Sequence, residues 1–396
     1  MNSYIDDILK IILDYNISNN FEGYDKFDGA NNFFSQNIFK NSKWIRFFFQ
    51  QLVKESPINL RRLLNIKASQ NIKGNGIFIN ALIKFYKISK NENYLNEARK
   101  LLEQQLKLKS KEFKTLAWGH NFIWEGLNFT LPKYYPNITN TIITAEAILE
   151  MYKTTCEEYL LEYLDSITES IMKIFPLVFD EDNKIAISYF PFRSYPVCIN
   201  IQAFTSAFLI KYFKNNKNDV TKEFADKLMN FVIHSMNDNF SWYYSYPKSD
   251  HFLKKDLPDN YHTAFILDSL LDYYNETQNK EILEIYKSGL DYYQKNLFTN
   301  DFEYKWNSNS IFPIDIHGGA NSIITFSKAS ILDKRYLDIA SKILEWTINN
   351  MFNKKEKYFI YRKNRILNST YRLIRWSDAW MCYAISEYLK YENKSK

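Results

Sequence analysis

Apolar residues recur at helical spacing along most of the chain, and the helices they define are of two kinds. Residues 1–16 place Ile5, Ile8, Leu9, Ile12 and Leu13 on one face, and 43–54 do the same with Trp44, Phe47, Phe48, Leu52 and Val53. Both read as amphipathic helices, separated by the glycine-bounded turn GYDKFDG (23–29). A longer pattern then sets in. Helices that are apolar almost all round carry Ala81, Ala147, Ala207, Leu267, Ile324 and Ala384 at equivalent places, 57 to 66 residues apart. Each is followed by a short polar link, such as 89–92 or 332–334, and by an amphipathic helix: 94–108, 157–174, 220–236, 281–297 and 335–351. Long connections lead to the next unit, with β-like patches at 240–246, 302–306 and 358–361.

A helix that is apolar all round needs burial on every side, whereas an amphipathic one faces solvent with its polar half. The pattern therefore predicts an all-α fold of helical hairpins, apolar helices such as 321–331 inside and amphipathic ones outside. The last apolar helix, 377–391, has no successor, and 43–54 is available to pair with it. That pairing closes a ring of six hairpins and removes the open faces that a linear array must cap. An open right-handed solenoid is the alternative. Helix 1–16 has no place in this count. We read 1–396 as one domain, with 1–42 an N-terminal helix plus the GYDKFDG segment and 43–396 the hairpin ring.

Composition supports a large helical core: 46% of residues are hydrophobic and 17% aromatic, while nine Pro and nine Gly leave little for the turns of an all-β fold. The net charge of +6 is modest and forms no continuous basic face, which argues against nucleic acid. Arginine is scarce, yet Arg362, Arg365, Arg372 and Arg375 cluster just before the final helix, a solvated basic loop or an anion-binding set. Three widely spaced cysteines fit reduced thiols, the N-terminus is acidic where a signal peptide is basic and then apolar, and no run approaches a membrane span. These features predict a cytoplasmic protein.

In a ring of this kind the long connections all enter inner helices from one face, so they gather at one mouth. His120, His251, His262 and His317 fall there, as do Trp118, Trp124, Trp242, Trp306, Trp376 and Trp380. PIDIHGGANSI (313–323) is the most suggestive segment. Asp315 and His317 are a candidate acid–base pair, and Gly318–Gly319 permit close approach of backbone or ligand. The competing reading has Asp315 capping the helix and His317 packing. Asp259 and His262 offer a second imidazole with an acid beside it. Trp118, His120, Asn121, Trp124 and Glu125 suggest a sugar-binding wall. In RWSDAWMCYAI (375–385), Asp378 could face Asp315 as a hydrolytic carboxylate pair, with Trp376 and Trp380 lining the site and Arg372 and Arg375 holding an anion. Asp25 and Asp28 are a further pair of candidate acids. Zinc-ligand spacings, a Walker A loop, GxGxxG and a nucleophile-elbow serine are missing from the sequence, so acid–base chemistry without metal or cofactor is the simplest reading.

The layout resembles the (α/α)6-toroid, or six-hairpin glycosidase-like, superfamily of glycoside hydrolases, uronate lyases and sugar epimerases. More narrowly, GYDKFDG, WGHNFIWE, YHTAFILDSLLDY, PIDIHGGANSI and RWSDAWMCYAI together look like a family associated with bacterial surface-polysaccharide clusters. The resemblance covers essentially the whole chain. It implies the toroid architecture and a glycan context; with the candidate carboxylates and arginines, the leading expectation is a hydrolase-like enzyme acting on an acidic oligo- or polysaccharide. A uronate lyase, an epimerase using His262 and His317, and a non-catalytic glycan-binding or assembly protein are the alternatives.

Overall fold

The computed structural model describes residues 2–249 and 256–395; His251 lies outside them. α1 (Asn2–Ser18) and α2 (Lys43–Glu55) are followed by α3 (Ile72–Ser89), α4 (Glu92–Lys107), α5 (Ile138–Thr155), α6 (Tyr159–Lys173), α7 (Ile199–Asn216), α8 (Asp219–His234), α9 (Asn260–Thr277), α10 (Lys280–Asn296), α11 (Ile316–Ala329), α12 (Arg335–Met351) and α13 (Trp380–Ser395). The odd-numbered helices from α3 to α13 pack side by side, and α13 returns onto α3 to close the ring. α4, α6, α8, α10 and α12 each pack on the outside of the helix before them. The architecture is an (α/α)6 toroid.

The two helix types follow from the sequence pattern. Ala81, Ala147, Leu267 and Ala384 have no solvent exposure, and small residues at these places let the inner helices approach closely. On α4 only the stripe Tyr94, Leu95, Ala98, Leu101, Leu102 and Gln105 is buried, which is the period of a helix with one face to water. The hairpin link is also repeated. α3, α5, α7 and α9 end on Lys90, Cys156, Lys217 and Gln278 in the left-handed region. Asn91, Asn218 and Asn279 then cap the next helix through their side-chain oxygens.

One expectation is corrected. The helix beside α13 is α1, with Ile5, Ile8, Leu9, Ile12 and Leu13 all buried. α2 packs instead on the turn Asp28–Asn31 and the short strand Trp124–Glu125, where Gln50 exchanges two hydrogen bonds with the Glu125 backbone. Trp44 and Phe48 of α2 remain 65% and 60% exposed, so its apolar stripe is not the one that the ring buries. The short strands pair two by two: 197–198 with 245–246, 352–353 with 358–359, 177–181 with 184–187, and 314–315 with 362–363.

Below the mouth, the inner helices carry a ring of alternating charge: Lys84 on α3, Glu146 and Glu150 on α5, Lys211 on α7, Asp272 on α9, Lys328 on α11 and Glu387 on α13. Lys211 reaches Glu146 at 2.6 Å and Asp272 at 3.2 Å. Lys328 reaches Asp272 at 2.6 Å, Lys84 reaches Glu387 at 2.6 Å, and Lys87 joins α3 to Glu150 at 2.5 Å. Burial alone would raise the Glu387 carboxyl, but Lys84 and Lys390 outweigh it and hold the group down to about 2. Replacing one member leaves its partners charged and buried. Lys211→Met is expected to destabilise the fold by about 3 kcal/mol in urea unfolding, since it strips a cation from two carboxylates. An unchanged midpoint would show that the ring is not stabilising.

Candidate active site at the mouth of the ring

The N-terminal ends of the inner helices converge on a cavity of about 460 Å³. Lys73 enters it from the first turn of α3, Asn200 from α7, Tyr261 and His262 from α9, and His317 from α11. Arg375 and Trp376 come from the π-helical turn Ile374–Ala379 that runs into α13, and Trp380 from α13 itself. The long connections add Lys26, His120, Trp124 and Tyr244.

Two imidazoles enter the cavity from inner-helix starts, His262 and His317. Asp259 caps α9 by accepting from the His262 backbone N–H at 3.0 Å, and its other oxygen meets His262 Nδ1 at 2.6 Å. A carboxylate only accepts, so Nδ1 carries a proton, which leaves Nε2 as the nitrogen that can act as a base. His317 is only 3% exposed, and neither of its ring nitrogens has a hydrogen-bond partner. It is held by ring contacts alone: Trp376 at 4.4 Å, Tyr261 at 4.6 Å and Trp380 at 5.0 Å between centroids. Burial, then the nearby Lys73 and Arg375, push its pKa well below the usual imidazole value, so it is neutral. Tyr261 also packs on His262, at 4.1 Å, and so bridges the two rings. His120 is a third, more structural imidazole. It stacks on Phe122 and sits 3.4 Å from the Asn140 amide, and burial pushes it down to about 3.

The expected carboxylates lie elsewhere. Asp315 is the N-cap of α11, accepting from His317 N, and it is ion-paired with Arg362 at 3.2 Å and Lys26 at 3.6 Å. Asp378 is 1% exposed and held by Arg372 at 2.6 and 3.0 Å. Neither lines the cavity, so the structure does not present them as a pair facing one substrate. The capping reading of Asp315 is the one the geometry supports. Gly319 also has a packing cause. A Cβ on Gly319 would stand 2.4 Å from the Tyr304 ring, so the close approach is by that buried tyrosine and not by a ligand.

The arginines are likewise engaged. Arg375 makes two bonds to Asp25, at 2.8 and 2.9 Å, and Asp25 also receives the Asn71 amide and the Phe27 N–H. Arg372 lies against Tyr15 and Asp378, away from the cavity. Asp28 is bound by the fully buried Arg61, and Glu125 by Arg46 and Thr130. Of the proposed wall, Trp124 and His120 line the cavity, but Trp118 is a core residue donating from Nε1 to the Gln105 carbonyl. Asn121 faces a neighbouring groove of about 810 Å³, together with Asp25 and Asp28.

Two residues escaped sequence reasoning, Lys26 and Lys73. The lysine-rich composition hid them; position 73, one residue inside the first turn of an inner helix, was the available signal. Among the described residues no group of three His, Cys, Asp or Glu side chains has a metal-holding arrangement.

No protein-family model and no curated protein matches this chain. Solved structures do match in fold. A cellobiose 2-epimerase from Bacillus thermoamylovorans superposes with a TM-score of 0.65 at 12% identity over 84% of this chain and 90% of that one. A GH76 α-mannanase from Bacteroides thetaiotaomicron gives 0.63 at 14% identity over 83% and 88%. An unsaturated glucuronyl hydrolase specific for heparin gives 0.62 at 15% over 82% and 87%. The chain thus shares the (α/α)6-toroid fold of these structures.

The refusal of a proton at His317 has a measurable sign. The unfolded chain protonates this histidine below about pH 6.5 and the folded site does not, so its contribution to stability falls as pH drops through that value. Nitrogen NMR of the imidazoles is expected to show His317 neutral at pH 6. A titration at or above 6.5 would contradict the site as described.

Proposed function

We propose that the chain is a carbohydrate-active enzyme that moves a proton at a sugar carbon adjacent to a carbonyl or carboxylate, with the mouth cavity as its active site. The observation that carries this reading is the pair of cavity imidazoles, one oriented by a carboxylate and the other neutral and unbonded. The cavity-lining aspartates are already engaged, Asp259 by His262 and Asp256 by the Tyr244 and Ser245 amides. Most glycoside hydrolysis uses a carboxylic acid and a carboxylate free to act across the scissile bond, a role for which both cavity aspartates are already bonded.

In this reading His262 Nε2 removes the proton, and negative charge develops on the adjacent oxygen. Six helix N-termini and the cavity cations are placed to stabilise that charge. His317, neutral in the free site, must first take up a proton from water, which the negative charge developing on the substrate favours. Transfer of that proton to the opposite face inverts the carbon, which is epimerisation, and His262 then returns its proton to water. Expulsion of a β-substituent instead would be elimination, the lyase reading; the cations Lys26, Lys73 and Arg375 in the wall favour keeping it. The shared scaffold of an epimerase and a glucuronyl hydrolase supports a sugar as substrate class. The motif resemblance supports an acidic glycan of surface-polysaccharide metabolism and a cytoplasmic setting.

The test is turnover of variants, normalised to folded protein. His262→Asn and His317→Asn are each expected to lose at least about a hundredfold, the usual worth of a positioned acid or base. Asp378→Asn is expected to stay within severalfold of the parent. Full activity in both histidine variants, with loss in Asp378→Asn, would replace proton transfer by carboxylate hydrolysis.

A further inference from the structure

The balance of charge at the mouth singles out a residue that neither the motifs nor the histidine pair explain. Arg375 is committed to Asp25, and Arg372 to Asp378 outside the cavity. Lys26 shares the Asp315 carboxylate with Arg362, whose other contact is the half-exposed Glu55 at 3.5 Å. Lys73 has no such partner among the described residues. It lines the cavity from the first turn of α3, and among the described residues no hydrogen bond or ion pair engages its ammonium.

Its surroundings make that charge costly. The N-terminus of α3 already presents the positive end of the helix dipole. Burial first, then Arg375, lowers the Lys73 amine to about 7, against the opposite pull of Asp25 and Cys198. Lys26 stands 4.2 Å from the centre of the Trp376 ring in the same wall. Burial first, then Arg362 and Lys54, lowers it to about 7 as well, against Asp315 and Glu55. The half-buried amine of Lys73, the buried one of Lys26 and an already paired guanidinium around one cavity leave an excess of positive charge, and a bound anion would relieve it.

We propose that Lys73, with Lys26, forms a subsite for an anionic group, a carboxylate or a phosphate, carried by the sugar in the mouth cavity. This rests on the reading of the cavity as a sugar site and supplies the anion-binding role that Arg372 and Arg375 cannot fill while paired. A sugar acid anchored there has its carbonyl-bearing end in the same cavity as His262 and His317.

The experiment is calorimetric binding of D-glucuronate, inorganic phosphate and D-glucose to the full chain at pH 6 and pH 8. At least one anion is expected to bind about tenfold tighter than glucose at pH 6 and to weaken severalfold at pH 8, where lysines that titrate near 7 lose their charge. A preference for glucuronate identifies a carboxylate, and a preference for phosphate a phosphorylated sugar. Lys73→Met and Lys73→Gln are expected to lose about tenfold in anion affinity, Lys73→Arg to retain it, and all three to leave glucose binding unchanged. Parental anion affinity in both neutral variants overturns the proposal, and so does failure of both anions to bind. The readout is binding alone, so its failure leaves the histidine chemistry standing, and loss of that chemistry leaves this result untouched.

Discussion

The alternating charge ring inside the barrel is the constraint on which the rest depends. Lys84, Glu146, Glu150, Lys211, Asp272, Lys328 and Glu387 sit at similar depths on six neighbouring helices, and the short ion pairs between them fix how far each helix can slide. An axial shift by a turn, about 5.4 Å, would break ion pairs on both sides of α3, α5, α7 or α9, and on one side of α11 or α13. Buried ion pairs are weak evidence for net stability, yet breaking one is expensive, so they act here mainly as a register. The N-terminal turns of all six inner helices line one cavity, and that cavity is the mouth.

The chemistry of the mouth follows from this convergence. Six helix N-termini, Arg375, Lys26 and Lys73 make the region electropositive, and burial removes the water that would screen it. Burial first, and then that field, keeps His317 neutral and the lysines easily deprotonated. It suits negative charge, whether carried by the substrate or developed on an oxygen during proton transfer. Asp25, Asp259 and Asp315 are the counter-charges that keep the arrangement foldable. Each is tied to a cation or an imidazole rather than left to react.

Much of the fold was legible in the sequence because burial on all sides leaves a strong signal. The six positions from Ala81 to Ala384 mark the inner helices, and the amphipathic helices start and stop within a few residues of expectation. What closes the ring was not legible, since α1 and α2 carry similar apolar stripes and only packing decides between them. At the site, His262, His317, Trp376 and Trp380 were found because histidine and tryptophan are scarce and fall at inner-helix starts. Asp315 and Asp378 were over-read: a carboxylate at a helix start looks the same in sequence whether it caps, pairs or reacts. Lys73 was missed because a lysine without a partner can be recognised only once its neighbours are placed.

The central claim, proton transfer at a sugar carbon in this cavity, is tested most directly by isotope incorporation. The purified protein is incubated with acidic and neutral saccharides in water labelled with deuterium and oxygen-18, and the products are read by mass spectrometry. The account predicts carbon-bound deuterium in an otherwise intact sugar, or an unsaturated fragment without oxygen-18 at the cleaved linkage. Fragments carrying oxygen-18 at a new reducing end, with no carbon-bound deuterium, would show hydrolysis and contradict it.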